Sequence, residues 1–165
     1  MHWHYEGEVR MAGKQARANE LIQASIRLMC TREYDEGLAA AEKAVALDPK
    51  SERVLAYLAE ACFHAQSYTD CLAACDPTLE LYPSNINTWN MIGAALGALE
   101  HYNEAIPTLR HAIDQDPRQP MLWHNLMYCL CQARQYKDAI ATSNIALKWH
   151  GSDADMSPTP WLKPG

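Results

Sequence analysis

No apolar run in the chain approaches the roughly 18–20 residues that a membrane-spanning helix needs, so no segment reads as membrane-inserted. A basic cluster is missing too. The chain has 14 Lys and Arg against 20 Asp and Glu, a formal net charge of -6, and its nearest approach to a cationic patch is "GKQAR" close to the N-terminus. A phosphate backbone calls for a clustered basic surface, so nucleic acid is not an expected partner. The opening "MHWHYEGEVR" lacks the apolar core of a secretory leader. Glu6, Glu8 and Glu20 do not fit an Arg-rich, acid-poor transit peptide. Met11 offers a second start, and residues 1–10 read as an extension. Phosphate-cradling glycine loops, Ser-His-Asp or Cys-His sets at a strand–turn, and paired carboxylates are all lacking, so catalysis is not expected.

The six cysteines, at positions 30, 62, 71, 75, 129 and 131, do not form a secreted disulfide framework, because a chain of 165 residues can build a core without staples. A reducing, cytoplasmic compartment is the simplest reading. Cys71 and Cys75 are four apart and would share one face of a helix. Zinc needs three or four convergent ligands, and the nearest histidine, His64, is assigned to another face. Cys129 and Cys131 are two apart, on opposite sides of a helix. His2 and His4 are only two ligands, at a terminus. Neither a metal nor a cofactor is expected.

What the chain does have is periodicity. Tyr34, Tyr68, Tyr102 and Tyr136 recur every 34 residues, in the frames "REYDEGL", "QSYTDCL", "EHYNEAI" and "RQYKDAI". Pro49, Pro83 and Pro117 keep the same interval, with Gly151 in the fourth place. Leu21, Leu55, Trp89 and Trp123 form another column, as do Leu28, Cys62, Leu96 and Leu130. Such agreement across four periods marks an internal repeat. Four units follow, 18–51, 52–85, 86–119 and 120–153, flanked by a partly helical N-terminal extension (1–17) and a Pro-rich C-terminal tail (154–165).

Each unit reads as two helices. In the third, Trp89, Ile92, Gly93 and Leu96 give one apolar face, and Ala105, Ile106, Leu109, Ala112 and Ile113 give the next. "DQDP" ends the second helix, since proline restricts the residue before it. Cys62, Cys71 and Cys75 fall in columns otherwise filled by Leu, Ala, Gly or Ser, where a free thiol serves as a small hydrophobe. A single helix pair cannot bury its apolar face, so the units must stack.

The chain resembles the tetratricopeptide repeat, a 34-residue helix–turn–helix with an early Trp or Leu, a small residue, a Tyr before the second helix and a closing Pro. "TWNMIGAALGALEHYNEAIPTLRHAIDQDP", residues 88–117, carries the resemblance best. It implies an all-α, right-handed α-solenoid whose first helices line a concave groove, and a non-catalytic function of holding another protein.

Projected inward, the first helices present Asn19, Ile22, Gln23, Ile26 and Met29, then Arg53, Tyr57, Glu60, Phe63 and His64. The third and fourth units add Asn87, Asn90, Met91 and Ala94, then Met121, His124, Asn125, Tyr128 and Gln132. Arg53 is the only permanently charged cation among them, so the basic clamp with which some relatives grip a chaperone's C-terminal carboxylate is absent. The expected binding residues are Ile22, Ile26, Arg53, Tyr57, Glu60, Asn87, Asn90, Met91, Met121, His124, Asn125 and Tyr128. The expected partner is a protein, offering a peptide or helix with apolar anchors. Two other readings are a type III secretion-like chaperone for an apolar client segment and a structural subunit of a larger assembly.

Two prolines interrupt second helices. Pro107 is near a helix start and costs little, whereas Pro77 is expected to bend its helix. Ile140, Ile145 and Leu147 on the last helix have no capping helix. Either the tail covers them, with Trp161 and Leu162 as a plug, or another chain does, which is a route to self-association.

Overall fold

The computed structural model describes the backbone of residues 2–150 and the side chains of residues 8–149. Those residues form eight α-helices and no strand: α1 (His2–Cys30), α2 (Tyr34–Leu47), α3 (Glu52–His64), α4 (Tyr68–Leu81), α5 (Ile86–Ala98), α6 (Tyr102–Gln115), α7 (Pro120–Gln132) and α8 (Tyr136–His150). The Pro-rich tail and its Trp161–Leu162 plug lie outside the described residues. Contacts divide the chain into two compact units, 1–91 and 92–165, with the division inside α5.

The tyrosine column marks the first residue of α2, α4, α6 and α8. The turns before these helices share one backbone motif. Arg32, Gln66, Glu100 and Arg134 all adopt positive φ, between 59° and 65°. Each turn then closes with the following N–H donating to a carbonyl five residues back: Glu33 to Leu28, Ser67 to Cys62, His101 to Leu96 and Gln135 to Leu130, at 2.8–2.9 Å. This is the left-handed helix stop that normally favours glycine, here built four times from residues with a Cβ.

In the first unit, α1 packs on α2 and α3, and α3 on α4. Ala18, Ile22, Ala44 and Val54 form a buried cluster flanked by Leu21, Val45, Leu47 and Tyr57. The repeat period reappears as hydrogen bonds. Tyr82 Oη donates to the Lys50 carbonyl at 2.6 Å, and Trp89 Nε1 donates to the Pro83 carbonyl at 2.9 Å. Asn85 begins α5, its Oδ1 accepting from the Thr88 N–H at 2.8 Å while its Nδ2 donates to Glu52 Oε1 at 2.7 Å. An N-terminal cap and a helix-to-helix tie thus come from one side chain.

Helix α4 continues through Pro77, the position at which a bend is expected, as one helix. Pro77 is exposed, as is Ala73, whose carbonyl loses its i+4 donor there, so water can serve that group. Helix α6 likewise runs through Pro107.

In the second unit, α6 packs on α7, and α7 on α8. Trp123, Leu122, Leu126, Leu130, Leu109 and Ile113 are almost wholly buried. Trp123 Nε1 donates to the Pro117 carbonyl at 2.7 Å, the counterpart of the Trp89 bond one period earlier. Gly93 is required by this packing: a Cβ there would lie 2.4 Å from Leu109 Cγ.

Candidate functional site

Four columns of the repeat determine the face of each first helix that is left free by its own pair. They run through residues 53 and 87, through 22, 56 and 90, through 57 and 91, and through 26 and 60. In the first unit these columns converge on a cavity of ≈ 450 Å³ between α1, α3 and the first half of α5. Ile22, Ile26, Arg53, Tyr57, Glu60, Asn87, Asn90 and Met91, all expected at a binding face, line it. Ile22 is 2% exposed and therefore contributes floor more than contact surface.

Three further residues complete the wall: Ala56, Ala59 and Thr88. The two alanines explain why space exists there at all. Position 56 shares its column with Ile22, Asn90 and His124, and position 59 with Ser25, Gly93 and Met127. Two small side chains, one turn apart on α3, leave a recess between the flanking helices. The size of Ala56 beside Ile22, Asn90 and His124 was the available sequence signal, since position 59 is small in three of the four units. Thr88 is 3% exposed, and its Oγ1 is buried without a hydrogen-bond partner. Its column holds Glu20, Val54 and Leu122, so the column itself did not mark the hydroxyl.

Tyr57 is held in place. Its Oη donates to Ser25 Oγ at 3.2 Å, and the Ser25 hydroxyl donates to the Gly37 carbonyl at 2.6 Å. Burial raises the Tyr57 phenol above its ordinary range, opposed in part by the Ser25 bond, so the ring stays neutral at physiological pH. Arg53 and Glu60, both exposed, are the cation and anion of the lining. Glu60 Oε1 also lies 3.7 Å from His64 Nε2.

Not every residue expected at this face reaches it. Met29 turns toward α2 and packs over Gly37, where an added Cβ would sit 3.0 Å from Met29 Cε. Phe63 packs edge-on against Tyr68, with ring centroids 5.3 Å apart. Both are near the C-terminal end of a first helix, where the returning second helix covers the face that projection leaves open. Met121, His124, Asn125 and Tyr128 occupy the same columns on α7 and lie outside the cavity; Met121 and Tyr128 are 57% and 49% exposed.

Four of the six thiols are buried. Cys62, Cys71, Cys75 and Cys129 lie inside and are unbridged, whereas Cys30 and Cys131 are exposed. Burial, reinforced by nearby Cys71 and Asp70, pushes the Cys62 thiol up to about 11. Cys75 is raised as well, first by its hydrogen bond with Cys71 and then by burial. Among the described residues, no group of three or more His, Cys, Asp or Glu is placed to hold a metal ion. No described helix is long and apolar enough to cross a membrane.

Comparison with known proteins agrees with the repeat fold. The pattern of the tetratricopeptide-repeat family matches residues 98–157, and that of anaphase-promoting complex, cyclosome, subunit 3 matches residues 31–112. The chain belongs to the tetratricopeptide-repeat proteins. Its fold is the all-α helical repeat of that family. MamA 41-end from Desulfovibrio magneticus RS-1 superposes with a TM-score of 0.72 at 17% identity, covering 82% of this chain and 76% of that one. The first TPR of Spaghetti (RPAP3), bound to the HSP90 peptide SRMEEVD, superposes with a TM-score of 0.63 at 20% identity, covering 77% of this chain and 95% of the other. In sequence, the N-terminal acetyltransferase A complex auxiliary subunit NAA15 of Arabidopsis thaliana is 27% identical over 100 residues, 61% of this chain. This tetratricopeptide-repeat protein spans 11% of that relative's length. Repeats of this family generally mediate protein–protein interaction and are typically non-catalytic.

Proposed function

We propose that this repeat protein is a non-catalytic scaffold that holds a segment of a partner protein in the groove between α1, α3 and the first half of α5. The observation that carries the reading is the convergence of Tyr57, Ile26 and Met91 with the polar Arg53, Glu60, Asn87 and Asn90 around one cavity. Apolar walls with a few placed polar groups are the usual make-up of a recognition site. A tethered tyrosine adds contact area at low entropic cost. The peptide-bound RPAP3 neighbour shows the same fold in complex with a peptide, which supports this use of the groove. Free thiols, two of them exposed, suit a reducing, cytoplasmic setting.

The test is affinity capture with the full chain, comparing wild type with Tyr57→Glu and Met91→Glu. Partners retained by wild type and lost by both variants, with helical content unchanged, are the expected result. Equal capture by all three proteins moves the binding surface elsewhere on the molecule.

A second reading, a subunit seated within a larger assembly, is favoured by α8, where Tyr136, Ile140 and Leu147 are 59%, 65% and 68% exposed. Patches of this kind commonly mark interaction sites. Concentration-dependent association of the wild-type chain that Ile140→Lys abolishes is its expected signature. A monomer at all concentrations, captured only through the groove, would exclude self-association by this face.

A further inference from the structure

Helices α6 and α8 share their columns of the repeat, yet the same positions are covered on one and bare on the other. Ile106 and Ile113 of α6 are 5% and 0% exposed, and α6 packs on α7. One period on, Ile140 and Leu147 of α8 are 65% and 68% exposed, while Ala139, Thr142 and Ala146 between them stay buried. Together with Tyr136 they form one stripe at i, i+4 and i+11, roughly 16.5 Å long.

We infer that the chain's own residues 158–164 cover this stripe, laid antiparallel along α8 as a polyproline helix with Trp161 seated on Ile140. One period after Leu126 and Leu130 of α7 stand Pro160 and Pro164, which a helix interior does not accommodate. A Pro-rich segment favours instead the polyproline helix, with three residues per turn and about 3.1 Å of rise. Pro158, Trp161 and Pro164 then share one side and span roughly 19 Å, close to the length of the α8 stripe. Such a side docks on surfaces that offer aromatic rings, as Tyr136 does at the far end of the stripe. Residues 151–157 make the reversal, a length usual between packed helices.

Charge sets the direction. Lys148 and Asp138, both exposed, stand near the C-terminal and N-terminal ends of α8. Running antiparallel, the segment brings Asp155 past Lys148 and Lys163 to Asp138, pairing opposite charges at both ends. Running parallel, it sets Lys163 beside Lys148, and residues 151–157 must first span the whole helix, about 21 Å. The contact involves α8 and does not depend on the groove reading.

Nuclear Overhauser contacts in the full chain test the inference. In a monomeric sample the Trp161 ring should contact the Ile140 methyls, with Pro158 near Leu147 and Pro164 near Tyr136. Trp161→Ala should abolish these contacts and shift the Ile140 methyl signals, and Ile140→Lys should release the Trp161 ring with helical content unchanged. Absence of the contacts in wild type, or the same contacts in reverse order along α8, overturns the inference. Contacts that arise between copies, detected by mixing labelled with unlabelled chains, also overturn it and make a second chain the occupant.

Discussion

Helices α3 and α7 occupy the same register of the repeat two periods apart, yet they do different things. On α3, Ala56 and Ala59 open a recess beneath Tyr57, and the neighbouring side chains line it. On α7, the matching positions hold His124 and Met127, while Leu122, Trp123, Leu126 and Leu130 are buried to 1% exposure or less. A helix–turn–helix array needs its columns filled to stay folded, but it can leave a few unfilled to bind. Both helices bury their core columns, with Val54, Leu55 and Cys62 at 5% exposure or less on α3, and α3 adds the cavity wall to which binding is proposed.

The largest effect is expected where α7 carries stability. Trp123→Ala removes a wholly buried ring and its bond to the Pro117 carbonyl, and should cost about 3–5 kcal/mol in urea unfolding. Tyr57→Ala on α3, by contrast, should cost about 1–2 kcal/mol while abolishing peptide capture. Similar losses from the two substitutions would erase the distinction between the helices.

Alkaline titration comes next, since each helix carries a buried thiol raised by burial, Cys62 on α3 and Cys129 on α7. The Cys62 thiol on α3 is raised from its ordinary value near 9 to about 11. Above pH 9 the unfolded chain releases this proton while the folded chain keeps it, so stability falls as pH rises between about 9 and 11. The loss is about 3 kcal/mol for this group; Cys75 on α4 is raised as well, while the same hydrogen bond lowers its partner Cys71. Cys62→Leu, the residue found at positions 96 and 130 of its column, should shrink this slope. A slope unchanged by the substitution would place the titration elsewhere.

Smaller still is the cost of filling the recess. Ala56→Leu should change stability by less than about 1 kcal/mol, because its side chain enters existing space. It should nevertheless abolish peptide binding measured by fluorescence anisotropy. Retained binding would mean that the recess is not where the anchor sits. The smallest effects should be alike in both regions. Gln66→Gly after α3 and Arg134→Gly after α7 relieve left-handed backbone, and each should raise stability by about 0.5–1 kcal/mol.

These contrasts also show which features could be read in the residues beforehand. The tyrosine, tryptophan and proline columns carry the helix pairing, because each marks a contact that recurs: Trp89 and Trp123 reach back to Pro83 and Pro117 by the same bond. The left-handed turns left no such mark. Arg32, Gln66, Glu100 and Arg134 include no glycine, and their shared interval is the only sign of a common conformation. At the candidate site, helical projection placed Arg53, Tyr57, Asn87 and Met91 on one face, where the cavity gathers them. It misdirected Met29 and Phe63, since a face projected from one helix ignores the partner helix that folds back over its end. It also passed over Ala56, a wall residue whose column otherwise holds Ile22, Asn90 and His124.

Methionine methyl resonances report most directly on the division between α3 and α7, because Met91 lines the cavity and Met121 lies on α7 outside it. With a peptide enriched on the full chain, the Met91 methyl signal should shift on titration while that of Met121 stays in place. A shift of Met121 with Met91 unmoved would contradict the assignment of binding to the α1–α3–α5 groove.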